Sequence, residues 1–276
     1  MSTLLDAPSS GSRLPERLGK GLLIVYIALF VVFLLAPIVI VVLASFTPGE
    51  SVAVSLDGVS LRWYRRFLEY KPFTDSLVTS LLLAGASTVL AILLAVPAAL
   101  GLARSHSRTA HAVTSFLLSP IAVPPLVVGL SSLYYLSELG IGNSFLALLI
   151  THTCMSVPYV LRTTIAACRS LNPGYGEAAS VLGASIAQRF VHVTLPLISP
   201  GIFAGALFSV LISLDNLGVS YFFGSANTTT LPVVMLSYLQ NQFDPSIAAI
   251  STVQMTIAIV FLLAVERIYG LRSMNG

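Results

Sequence analysis

Glu177-Ala178-Ala179-Ser180-Val181-Leu182-Gly183, running on to Val193-Thr194-Leu195-Pro196, interrupts a chain that is otherwise almost continuous hydrocarbon. Arg169, Gln188, Arg189 and His192 lie around it, side chains that belong in water. Asn172-Pro173-Gly174 supplies a turn after which a helix can start. From there Ala179, Leu182, Ile186, Phe190 and Val193 recur at helical spacing, which predicts one amphipathic helix with a bend at Gly183. A helix of this kind between two membrane-length runs lies on the bilayer or in a partner's groove. It holds a single arginine, Arg189, a poor complement to anionic headgroups, so the pattern favours the partner.

The composition around this segment sets the class. Of 276 residues 56% are hydrophobic and 9% charged, with a mean hydropathy of +0.91, which describes an integral membrane protein. Apolar runs long enough for a bilayer, about 20 residues, fall at 22–46, 77–103, 113–136, 144–168, 197–222 and 246–268. Six spans leave no room for a soluble domain. Residues 1–20 read as a cytoplasmic disordered tail, 21–270 as the membrane domain with its polar loop at 169–196, and 271–276 as a short cytoplasmic tail. The first run is too long for a signal peptide and reads as a retained anchor.

Charge placement orients the chain. With the N-terminus inside, ten basic residues (among them Arg13, Lys20, Arg104, Arg189 and Arg267) fall on the inner side, against Arg62, Arg65, Arg66 and Lys71 outside. That asymmetry predicts both ends in the cytoplasm. No basic cluster suggests nucleic acid. Cys154 and Cys168 sit fourteen residues apart, about 21 Å along a helix. They are beyond disulfide reach and read as buried packing residues.

Several residues inside the spans stand out. Trp63, Phe67 and Tyr70 share a helical face beside charge, which predicts a helix lying in the membrane interface. Pro120, Pro124 and Pro125 must break or kink the third span, and a broken helix lining a pathway competes with a kinked packing helix. His152 in the fourth span is either a hydrogen-bonded structural residue or part of a pathway. In the fifth span Gly201, Gly205, Ser209 and Ser213 form a small-residue face expected to pack on another span. Asp215 and Asn216 follow. A carboxylate in a span costs about 2.5–3.5 kcal/mol, so Asp215 should face an interior or an aqueous cavity.

Glu177, Ala178, Ala179, Gly183, Leu195 and Pro196 match, position by position, the loop motif of ABC importer membrane subunits, with Val193 where isoleucine is commoner. Trp63-Tyr64, the Pro-rich third span, His152-Thr153 with Pro158, Ser213-Leu214-Asp215 and Leu231-Pro232 resemble the spermidine/putrescine-type permeases over nearly all of 22–268. The resemblance implies an all-α fold of six transmembrane helices, the type I ABC importer permease fold. It implies a second homologous permease subunit, two ATP-binding subunits and a periplasmic solute-binding protein as partners. ATP and magnesium would be held by the partner ATPase, with no cofactor on this chain and no hydrolysis by it. Glu177, Ala178, Ala179, Gly183, Leu195 and Pro196 would couple to the ATPase; Asp215, Asn216, His152 and Pro124 would line the translocation pathway. Where these permeases commonly read Leu-Asp-Asp, this chain has Leu214-Asp215-Asn216, one carboxylate fewer for a polycationic solute. Opines, aminophosphonates and other amines are alternative solutes. An ion-coupled secondary carrier is compatible with six spans and an intramembrane Asp, but it is the less favoured class because the chain lacks evident paired repeats and has only one or two intramembrane acids.

Overall fold

The computed structural model describes residues 13–51, 58–105, 107–224, 228–242 and 244–273, and the described residues are mostly helical. The chain divides into two compact units, one of Met1–Tyr64 with Asp244–Thr252, the other of Arg65–Phe243 with Val253–Gly276. In the first, helix α1 (Arg13–Ala44) is followed by a turn. There the Trp63 indole donates to the Thr47 carbonyl at 2.8 Å, and the Ser45 and Tyr64 hydroxyls lie 2.7 Å apart. The tail expected over 1–20 lies outside the described residues as far as 12, and α1 already begins at Arg13. The C-terminal tail is outside them from 274 on, and the last described helix (Ser246–Ser273) runs up to it.

The second unit is built on α3 (Lys71–Ala103), α6 (Phe145–Ser170) and α9 (Leu195–Asp215), which pack on one another. Lipid gives apolar helices no hydrophobic reason to associate, so contact depends on small residues and on hydrogen bonds between spans. Both are present. The buried face of α3 carries Ser80, Ala84, Ser87, Thr88, Ala91, Ala95 and Ala99. The small-residue face of α9 does pack on its neighbours. A Cβ at Gly205 would sit 2.6 Å from the Val160 Cα, and one at Gly201 would sit 2.8 Å from the Thr163 carbonyl oxygen. Farther along, the Ser209 hydroxyl lies 2.7 Å from that of Thr88.

Among the described residues five helical stretches are long and apolar enough to cross a bilayer: Lys20–Ala44, Lys71–Ala103, Phe145–Ser170, Ile186–Asp215 and Ser246–Arg267. The span expected at 113–136, the third, is not one helix. Helix α4 (Arg108–Leu118) and a 3-10 turn to Ala122 meet α5 (Pro125–Glu138) at a bend of 105°. Pro124 and Pro125 lack N–H groups, and the freed donors turn locally, Val127 and Val128 both bonding the Pro124 carbonyl.

Two smaller expectations are corrected. Helix α2 (Arg62–Glu69) does not offer its whole aromatic face to lipid: Trp63 and Phe67 are buried, Phe67 against Phe73, and of the three aromatics only Tyr70, just past the helix, is exposed. Neither cysteine is a buried packing residue: both thiols are free, Cys154 is exposed and Cys168 half-buried.

The close approach of α9 to α6 makes a prediction. Gly205→Ala and Gly201→Ala should each lower thermal stability in detergent, by about 1–3 kcal/mol of overpacking. Gly101→Ala, where a Cβ meets nothing within 4 Å, should not lower it. Equal melting temperatures for the three variants would contradict this packing.

Candidate functional site

Two places gather the residues singled out by sequence. The first is the loop between α6 and α9. The Asn172 side chain accepts from the Gly174 N–H at 2.9 Å, turning the chain into α7 (Gly174–Val181), with Glu177 in its first turn. The expected single helix is absent. α7 stops at Leu182, and Gly183 takes φ +81°, a left-handed conformation that disfavours any residue with a Cβ. The Gly183 N–H bonds the Ser180 carbonyl and the Ala184 N–H the Ala179 carbonyl, both at 3.0 Å, a Schellman closure. Ser185 then caps α8 (Ile186–Arg189): its hydroxyl accepts from the Gln188 N–H, and the Gln188 side chain accepts from the Ser185 N–H. A π-helical turn, Phe190–Thr194, leads into Leu195 and Pro196 at the start of α9.

The result is a tight knuckle, and a strut crosses it. The Arg189 guanidinium donates to the Ser180 hydroxyl at 2.6 Å, tying α8 back to α7. The predicted apolar stripe is split by the knuckle. Phe190 and Val193 are half-buried, whereas Val181, Leu182 and Ile186 are 88%, 86% and 78% exposed. Three aliphatic side chains at the tip of a polar loop form a surface suited to burial against another protein. Glu177 and Ala178 are exposed beside them, and Ala179 is half-buried.

The second place is where two helix breaks meet. α9 ends at Asp215, and a single turn, α10 (Leu217–Ser220), follows Asn216. Asn216 is buried, and its side-chain oxygen accepts from the Val219 N–H at 3.1 Å, capping α10. On the other side of the break the Gln254 amide donates to the Leu214 carbonyl at 3.1 Å. A cavity of about 480 Å³ opens here, lined by Pro124, Pro125, Asp215, Asn216, Gly218 and Tyr221 among others. Asp215 is exposed and is the only charged residue in that lining.

Three of the four expected pathway residues, Pro124, Asp215 and Asn216, thus share one cavity. His152 does not line it. The ring is buried, with Nδ1 2.9 Å from the Ser213 hydroxyl and Nε2 3.1 Å from that of Ser220. Sequence reasoning missed Tyr221 and Gln254, whose places depend on contacts across the fold. It also missed the Ser185-x-x-Gln188 capping box, which is legible in the sequence and marks a helix start.

Comparison with known proteins bears on both places. Residues 87–271 match the family described as binding-protein-dependent transport system inner membrane component. The molybdenum transport system permease protein ModB of Mycobacterium tuberculosis is 34% identical over 212 residues, 70% of this chain and 80% of that protein. The putrescine transport system permease protein PotI of Escherichia coli K12 is 30% identical, covering 83% of this chain and 84% of that one. Among solved structures, a chain of a bacterial ABC transporter involved in import of the acidic polysaccharide alginate superposes with a TM-score of 0.71. That alignment covers 96% of this chain and 99% of the other, at 17% identity.

The left-handed residue at the knuckle is testable in isolation. Gly183→Val should cost about 1–2 kcal/mol locally and speed hydrogen exchange of amides 184–189 severalfold. Gly176→Ala, in open space within α7, should leave exchange unchanged. Identical protection in both variants would contradict the knuckle.

Proposed function

This chain belongs to the family of binding-protein-dependent transport system inner membrane components, and on that premise we propose that its solute is a small cationic amine of the polyamine kind. The chain is a multi-pass permease subunit of an ABC importer, with the type I fold of such permeases. The reading of the solute is carried by Asp215. A carboxylate held within a span is costly, and here it is the only charge on a cavity that also presents the Tyr221 ring. Carboxylate and aromatic face are two groups that host an ammonium well.

The rest of the assembly follows from the same premise. The chain pairs with a related permease subunit, and a periplasmic binding protein delivers solute to the outer side. Two ATPase subunits, which hold ATP and magnesium, seat the knuckle at 174–189 in a cleft on the cytoplasmic side, with both chain termini on that side. Val181, Leu182 and Ile186 supply the buried contact, and Glu177 contacts the docked surface. Closure of the ATPase dimer pushes on the knuckle, and α9, which begins at Leu195, carries the displacement to the break at Asn216. This chain moves solute and leaves hydrolysis to its partners.

The relatives named for molybdenum transport support a second reading, an oxyanion solute. A lone carboxylate on the cavity is a poor host for an anion, which ranks this reading second.

Reconstituted complex tests both. Asp215→Asn should cut putrescine uptake about tenfold, the effect of losing roughly 1.4 kcal/mol of charge pairing; uptake at the wild-type rate would overturn the amine reading. Import of molybdate but not of putrescine by the unaltered complex would establish the second reading instead. For coupling, Glu177→Lys, or Gly183→Pro with its incompatible φ, should abolish uptake while the protein stays in the membrane. Normal solute-stimulated ATPase activity in these variants would contradict the docking of the knuckle.

A further inference from the structure

His152 is the only histidine or charged residue type buried in the described part of the chain. Its two partners are not equivalent. Ser213 lies in the last turn of α9 and Ser220 ends α10, so they stand on opposite sides of the break at Asn216. In its neutral form an imidazole donates through one nitrogen and accepts through the other, and it can satisfy both hydroxyls at once. An apolar side chain of similar volume would fill the space but leave the buried Ser220 hydroxyl unpaired and Ser213 with only the long 3.4 Å bond from the Ser87 hydroxyl.

The element held in this way has no stability of its own. α10 is four residues long, far below the length at which a helix persists alone. Its other face is seated by backbone contact. A Cβ at Gly129 of α5 would lie 2.9 Å from the Val219 Cα, and a Cβ at Gly218 would lie 2.9 Å from the Pro125 Cβ. α10 is thus wedged between the start of α5 and the His152 ring on α6, and the residue just before the bend is Asp215.

We propose that His152 is a positioning residue for transport: by joining Ser213 to Ser220 it fixes the bend at Asn216 and so sets how Asp215 is presented to the cavity. This rests on the reading of that cavity as part of the solute's path.

A staple has a signature that simple packing lacks: cutting either arm removes the whole bridge. Ser213→Ala, Ser220→Ala and His152→Ala should therefore each speed hydrogen exchange of amides 217–221 by about tenfold, and the double serine variant should be no faster than either single one. In the complete complex, with the sibling permease, the ATPase pair and the binding protein, putrescine imported per ATP hydrolysed should fall about tenfold in each single variant. Complex abundance and ATP hydrolysis should stay within about twofold, because the knuckle is untouched. Multiplying effects of the two serine substitutions, or unchanged exchange at 217–221, would overturn the staple. Faster exchange with an unchanged ratio of solute to ATP would overturn its role in transport. If the unaltered complex imports no putrescine, the amine reading falls, and the exchange measurement still decides the staple.

Discussion

A peptide N–H or carbonyl left unpaired in hydrocarbon costs several kcal/mol, so any interruption of a spanning helix must be rebuilt from side chains or neighbouring backbone. That constraint accounts for most of what is unusual in this protein. The break before α5 is closed by the Pro124 carbonyl, which accepts from Val127 and Val128. The break after α9 is closed by Asn216, Gln254 and, through its two serines, His152. Each break is expensive to build, and both open onto the cavity that holds Asp215. Irregular backbone at membrane depth is tolerated where it lines such a cavity.

The aqueous end of the protein obeys a different demand. The coupling proposed for this loop requires it to resist bending, and short helices resist it only when their ends are capped and braced. The knuckle meets this with a left-handed glycine, a reciprocal capping box and the Arg189–Ser180 strut within a few residues. Its exposed aliphatic tip is then explicable as a contact made elsewhere. The chain continues through the π-helical turn directly into α9, so in the proposed coupling the tip and the break at Asn216 are the two ends of one lever.

Sequence was most informative where chemistry is local. Pro120, Pro124 and Pro125 announced a third span either broken or kinked, and glycine and serine at four-residue spacing announced the packed face of α9. The angle of 105° at the break was not legible, because the proline spacing marks where a helix stops and not the direction the chain takes afterwards. The helical spacing of Ala179 to Val193 misled for a physical reason: periodicity ignores caps, and Gly183 with Ser185 outweighs it. His152 was legible as a residue needing partners but not as a bridge, since Ser213 and Ser220 lie 61 and 68 residues away. Asn216 illustrates the same limit. Its identity looks like a lost carboxylate in a motif, whereas in the fold it is a buried cap.

The account turns on Asp215 standing in a water-accessible path that opens and closes with nucleotide. Thiol modification of Asp215→Cys, in a chain also carrying Cys154→Ser and Cys168→Ser, measures this within the assembled complex. The account predicts reaction with a small water-soluble reagent at a rate that changes when ATP and the loaded binding protein are supplied together. A thiol unreactive in every state, as one facing lipid would be, or reactive at one fixed rate throughout, would contradict it.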